Sequence, residues 1–128
     1  MSKAALSIAV FAAYLLVNGT GFIVAPNQLL PAFGLPLSHE PWIRCLGIVL
    51  TMNAFYHAVA ARKELVPFFR ATIAGRTFVL VCLATLAALG SVPLQLLFFG
   101  LVDLAFAIWT FVALRLDATA GRTSPRFL

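Results

Sequence analysis

The amino-acid sequence predicts an all-α membrane protein, a four-transmembrane-helix antiparallel bundle with both termini in the cytoplasm. Hydrophobic residues make up 62% of the chain and charged residues only 10%, whereas soluble domains are roughly half apolar and about a quarter charged. Four apolar segments are long enough to cross a bilayer, since about 20 helical residues rising 1.5 Å each span roughly 30 Å. With 128 residues, the chain is expected to form a single integral membrane domain, 1–128.

The predicted spans are separated by proline, glycine or charged residues. They cover about 4–24, 42–61, 73–89 and 94–114, and a tail, 115–128, without apolar periodicity is predicted to be mobile. The first span follows Lys3 and is interpreted as a retained helix. A signal peptide is disfavoured because Ala25, the small residue suited to cleavage, precedes Pro26.

Two connectors have distinct compositions. Segment 26–41 contains four prolines and a glycine, which favour a re-entrant or interfacial loop over a continuous helix. Segment 62–71 alternates charges with apolar residues, and Pro67 is expected to prevent a long regular helix there. This second segment is therefore predicted to be an interfacial connector with its charges at the lipid phosphates.

The distribution of basic residues predicts the orientation. With both termini inside, one basic residue, Arg44, remains outside, and Trp42 anchors the outer interface. The basic residues assigned to the cytoplasmic side are Lys3, Arg62, Lys63, Arg70, Arg76, Arg115, Arg122 and Arg126. The expected location is the inner (plasma) membrane. The net charge of +5 is spread over helix flanks, so lipid head groups are the expected partners and nucleic acid is not.

The second span carries polar residues on two sides. At 100° per residue, Gly47 and Thr51 share one side with Arg44, while Asn53 and His57 lie nearly opposite. Neither side suits lipid, so this helix is predicted to be the most protein-enclosed of the four. A homo-oligomer or a membrane-protein partner is a candidate for covering one of these sides.

A polar cluster is predicted inside the membrane. Its members are Asn18, Arg44, Thr51, Asn53, His57 and Asp103. Asp103 is the leading functional candidate because an intramembrane carboxylate costs at least about 2.5 kcal/mol on insertion scales. The alternative, which we prefer, is a structural clasp in which Asp103 bonds to Asn or Thr side chains, or is reached by Arg44. For His57, a hydrogen-bonded structural role is preferred to that of proton carrier, haem ligand or general base.

No cofactor or metal is predicted. The adjacent His39 and Glu40 lack a third ligand at a recognisable spacing. Cys45 and Cys82 form no metal or redox motif and are interpreted as small packed residues. No Ser-His-Asp constellation, phosphate loop or carboxylate pair is recognisable, so no catalytic residue is assigned.

Several scattered residues resemble a known family. The R-C-L-G segment at Arg44 to Gly47, the Ala61-Arg62 helix exit, Arg76 in the third span and an acidic residue in the fourth are present. With the four short spans, they resemble the DoxX-like group of small bacterial membrane proteins, over most of the chain. The resemblance implies a bacterial inner-membrane accessory protein, and some members of that group are linked to oxidoreductase systems.

Two functions are compatible with these observations. The first is a noncatalytic membrane component that packs against a partner or binds a hydrophobic small molecule or lipid in a pocket lined by polar residues. That predicted pocket is lined by Asn18, Asn53, His57 and Asp103. The second is a membrane enzyme or proton-coupled carrier in which Asp103 or His57 exchanges protons, and the resemblance implies an association with an oxidoreductase system for it. The first is preferred because it requires no motif that the sequence lacks.

Overall fold

The computed structural model describes residues 1–121, and every regular element within them is helical. The elements are α1 (Lys3–Val24), α2 (Pro26–Leu29) with a 3-10 turn (Leu30–Phe33), α3 (Trp42–Arg62), α4 (Val66–Ala88), a 3-10 turn (Leu94–Leu96) and α5 (Leu97–Thr119). Four helices, α1, α3, α4 and α5 with its preceding turn, are long and apolar enough to cross a membrane. The predicted all-α bundle of four such helices is confirmed.

The four long helices do not all contact one another. α1 packs along α3 on one side and along α5 on the other, and α4 packs along α5. α3 and α4 follow each other in sequence, yet within the described chain they make almost no close backbone approach. The helices therefore run around the bundle in the order α3, α1, α5, α4, with a gap between α3 and α4.

α1 is the most enclosed helix of the bundle. In the apolar 18-residue window of α1, 44% of the residues are buried, against 22% in that of α3. The prediction that α3 is the most protein-enclosed helix is therefore wrong within this chain. The reason lies in the two polar sides of α3. One side packs on α1, but the side with Asn53 and His57 faces the gap toward α4, and residues between them such as Phe55 remain exposed.

Two glycines bring α1 and α3 into close backbone contact. A Cβ atom added to Gly47 would lie 2.6 Å from the Gly19 carbonyl oxygen. A Cβ atom added to Gly19 would lie 2.9 Å from the Gly47 carbonyl oxygen. Neither position has room for a side chain, so the small residues fix the distance between these helices.

The helix boundaries correct two predictions. α4 begins at Val66, seven residues before the predicted third span, because Pro67 lies in the first turn, where its missing N–H group is not needed. The predicted 62–71 connector is thus reduced to a short turn. α5 continues to Thr119, so part of the predicted mobile tail is helical. Residues 122–128 of that tail lie outside the described residues.

Two carboxylates hold the N-terminus of α1. The buried Asp117 carboxylate accepts hydrogen bonds from the backbone N–H groups of Lys3, at 3.3 Å, and Ala4, at 2.9 Å. Glu64, in the turn between α3 and α4, accepts from the backbone N–H and the hydroxyl of Ser2, at 2.7 and 2.6 Å. Negative charge at this helix end is favourable because the unpaired N–H groups there carry partial positive charge. These contacts join three chain segments at one end of the bundle.

A pair of single-methyl substitutions tests the close packing of α1 on α3. Gly47→Ala should lower the free energy of unfolding by about 1–3 kcal/mol, because the new methyl group overlaps the α1 backbone. Gly75→Ala on α4 is the matched control, since apart from the neighbouring backbone of α4 itself no heavy atom of the described residues lies within 4 Å of the added carbon. Unfolding in mixed detergent micelles measures both. Equal stability of the two variants would contradict the close contact.

Candidate functional site

A cavity of about 400 Å³ occupies the gap between α3 and α4. α1 and α5 form its inner wall. It is lined by Phe11, Leu15, Leu50, Asn53, His57, Phe68, Ala71, Thr72, Gly75, Arg76, Val79 and Asp103. Ala71 and Gly75 are exposed, so the cavity opens at the surface of the bundle beside α4. Its size lies within the range of small-molecule sites in proteins, about 300–1,000 Å³.

Arg76 is the most buried charged residue in this cavity. Only 4% of its surface is exposed, and it lies ten residues into α4, about 15 Å along the helix. One guanidinium nitrogen, Nη1, donates to the Thr110 hydroxyl at 3.1 Å. The guanidinium carbon lies 4.0 Å from the centroid of the Phe11 ring, a distance at which the ring face attracts the cation. The side chain therefore crosses from α4 to α1 and α5.

The Thr110 hydroxyl that accepts the hydrogen bond from Arg76 is itself bonded to a second hydroxyl group, that of Ser7. Ser7 donates its single hydroxyl proton to the Ala4 carbonyl oxygen at 2.7 Å. The Thr110 hydroxyl, 2.9 Å from the Ser7 hydroxyl, must then donate to Ser7, which leaves its own lone pairs for Arg76. Ser7 and Thr110 are fully buried. The direction of each hydrogen bond is thus determined, and this row of bonded hydroxyl groups holds the guanidinium group in place.

Two nitrogens of Arg76 remain available as donors. Nε and Nη2 are shielded from solvent and have no hydrogen-bond partner among residues 1–121. Leaving charged donors buried without an acceptor is costly. Asp103 interacts electrostatically with Arg76, but within the described chain the two form no hydrogen bond or salt bridge. The charge of Arg76 is thus partly balanced while its donors stay free.

His57 is fixed on the opposite wall. Its Nδ1 lies 2.8 Å from the Asn53 backbone oxygen, and because a carbonyl can only accept, Nδ1 carries the proton. The ring meets Phe11 and Phe68 edge to face, with centroids 5.1 and 5.0 Å apart. This hydrogen bond fits the structural role preferred for His57, and it leaves Nε2 as the ring's remaining polar atom.

The structure unites half of the predicted polar cluster. Asn53, His57 and Asp103 line the cavity. Asn18 instead donates to the Tyr14 carbonyl oxygen at 2.8 Å, on its own helix. Thr51 donates to the Gly47 carbonyl oxygen at 2.8 Å, where α3 meets α1.

The predicted clasp around Asp103 is not formed. Among the described residues, Asp103 makes no hydrogen bond to Asn18, Asn53 or Thr110, and Thr110 is bonded to Ser7 and Arg76 instead. Arg44 donates to the Ile23 backbone oxygen. The last carbonyl groups of α1 lack partners within the helix and attract this cation. Arg44 therefore bonds to the end of α1 and not to Asp103.

Sequence reasoning missed the role of Arg76. A third span beginning at residue 73 placed this arginine at the membrane surface, whereas the helix begins at Val66. The favourable position of Pro67 in a first helical turn was the signal that could have moved the boundary. Arg76 would then have been recognised as an intramembrane charge and a partner for Asp103.

Comparison with known protein families, curated proteins and solved structures finds no match for this chain. The fold and the cavity themselves define the class of protein. It is a four-helix bundle with helices suited to a membrane, and a buried arginine faces a cavity that opens between two of them.

A double-mutant cycle tests the electrostatic coupling of Arg76 and Asp103. Asp103→Asn should destabilise the bundle by about 1–3 kcal/mol because it leaves the Arg76 charge unbalanced at low dielectric. Adding Arg76→Gln should recover part of this loss, giving a coupling energy of at least about 0.5 kcal/mol. Denaturant unfolding in detergent measures the four proteins. Strict additivity of the two substitutions would contradict the coupling.

Proposed function

We propose that this protein is a noncatalytic multi-pass protein of a bacterial inner membrane that binds a hydrophobic small molecule or lipid between α3 and α4. The observation that carries the proposal is the pair of free Arg76 donors, Nε and Nη2, buried beside an otherwise largely apolar cavity. An acceptor on a bound molecule would satisfy these donors. We further propose that both termini lie in the cytoplasm, an orientation supported by the distribution of basic residues in the sequence.

The chemistry of the lining restricts the ligand. Leu15, Leu50, Phe68 and Val79 offer apolar surface for a hydrocarbon body. The guanidinium group requires oxygen acceptors, which carbonyl, carboxylate and phosphate groups provide. The proposed ligand is therefore amphipathic, with an oxygen-bearing head near Arg76. Its entry from the bilayer is supported by the opening beside the exposed Gly75.

The DoxX-like resemblance supports an accessory role. Two residues that contribute to the resemblance, Arg76 and the acidic Asp103, line the same cavity. In this proposal they form the binding site through which the protein serves a membrane partner or a homo-oligomer. No residue is assigned to covalent catalysis, and no cofactor is required.

A proton-coupled carrier or membrane enzyme is the second candidate. It is favoured by one observation, namely that Asp103 and His57, both able to exchange protons, line one cavity. Flux measurements in proteoliposomes distinguish it from the first. A carrier of this kind would lose transport in a well-folded Asp103→Asn protein, whereas a binding protein shows no proton-driven flux in either form.

Filling the cavity tests the binding function. The full-length protein, purified in mild detergent, should retain a small amphipathic molecule that native mass spectrometry detects. Gly75→Leu should reduce the retained fraction at least about tenfold, corresponding to about 1.4 kcal/mol, because its side chain enters unoccupied space in the cavity.

The control for this experiment lies on the same helix. Thr85→Leu adds an apolar side chain at an exposed position that does not line the cavity, and it should retain the molecule as the unsubstituted protein does. Equal retention by Gly75→Leu and Thr85→Leu would refute binding between α3 and α4. An unsubstituted protein that carries no such molecule would also count against the proposal.

A further inference from the structure

A second cavity, of about 290 Å³, lies on the other side of α4, where it packs on α5. It is lined by Arg70, Ile73, Ala74, Phe111, Leu114 and Arg115. Two arginines on neighbouring helices thus share one small cavity whose other residues are apolar. The function proposed for the α3–α4 cavity uses none of these residues.

The two arginines lie at the same depth. Arg70 follows the first residue of α4 by four positions, and Arg115 precedes the last residue of α5 by four. Because the helices are antiparallel, each arginine is about 6 Å from the same end of the bundle. Ile73, Ala74 and Phe111 lie about one turn further from that end. The cavity is therefore cationic near the end of the bundle and apolar toward its middle.

The apolar side of this cavity is accessible at Phe111, and the Phe111 ring orients the Arg115 side chain beside it. The guanidinium carbon of Arg115 lies 5.1 Å from the centroid of the Phe111 ring, within the range of a cation–π contact. Phe111 is 48% exposed, whereas Leu114 is only 2% exposed and forms the floor. A hydrocarbon chain lying along the outside of α5 would contact Phe111 directly.

We propose that this α4–α5 cavity binds one anionic phospholipid, with its phosphate between Arg70 and Arg115 and an acyl chain against Phe111. The charge complementarity and the depth of the two layers match a lipid, whose phosphate lies at the membrane surface and whose chains point inward. Arginine suits this role because its planar group can bind phosphate oxygens bidentately. Lys3, Arg62 and Lys63 lie at the same end of the bundle and add to the attraction, and with Arg70 and Arg115 they outnumber the carboxylates of the described residues there, those of Glu64 and Asp117.

Lipid titration followed by native mass spectrometry tests the site. The delipidated full-length protein is titrated with phosphatidylglycerol or with zwitterionic phosphatidylcholine of the same chains. The first lipid adduct should form with a preference for phosphatidylglycerol. Arg70→Gln/Arg115→Gln should weaken this adduct by about 25-fold, at about fivefold for each basic side chain near a phosphate. Arg70→Lys/Arg115→Lys keeps the charge and should retain most of the preference.

The matched control removes the same charge elsewhere. Arg62→Gln/Lys63→Gln changes two exposed basic residues at the same end that do not line the cavity, and it should weaken the adduct less than fivefold. Equal losses in the two double variants would overturn the site in favour of diffuse attraction, as would equal affinity for both lipids.

Soluble glycerol phosphate at equal concentration should not displace the lipid, and efficient displacement would show that the acyl chain is not bound here.

Discussion

The burial of one guanidinium group, that of Arg76, is the constraint on which the rest of the site depends. A cation within the apolar part of a bundle needs acceptors and compensating charge. The Thr110 hydroxyl, the Phe11 ring and the carboxylate of Asp103 supply these from α5 and α1. Because all three lie on the inner side of α4, they orient the arginine toward the centre. These groups leave Nε and Nη2 of Arg76 without an acceptor. The two donors therefore determine which polar groups the cavity can accommodate.

The gap that holds this cavity follows from the way the other helices pack. Gly19 and Gly47 bring α3 tightly against α1, while Asp117 fastens the start of α1 to α5. These contacts hold α3 against α1, while α4 packs on α5, so the backbones of α3 and α4 stay apart although the turn joining them is short. With no side chain at Gly75, α4 presents a hollow toward α3. The cavity thus arises from tight packing on one side of the bundle and its absence on the other.

Composition and segment length sufficed to predict the all-α bundle and its four long helices, because both depend on residues close together in sequence. The polar cluster was predicted less well, since the sides of a helix follow from sequence while its neighbours do not. Asn53, His57 and Asp103 meet in the cavity, but Thr51 packs on α1 and Arg44 bonds to Ile23. Arg76 was misplaced by a boundary error of seven residues at Pro67, about two turns of helix.

The most direct measurement is an experimental structure of the full-length protein in lipid nanodiscs, determined without added ligand at a resolution that shows bound small molecules. We predict an elongated molecule between α3 and α4, with an oxygen atom about 3 Å from Nε or Nη2 of Arg76. A structure with α3 packed directly against α4, both nitrogens of Arg76 bonded to Asp103 and no space for a ligand between the helices would contradict this prediction.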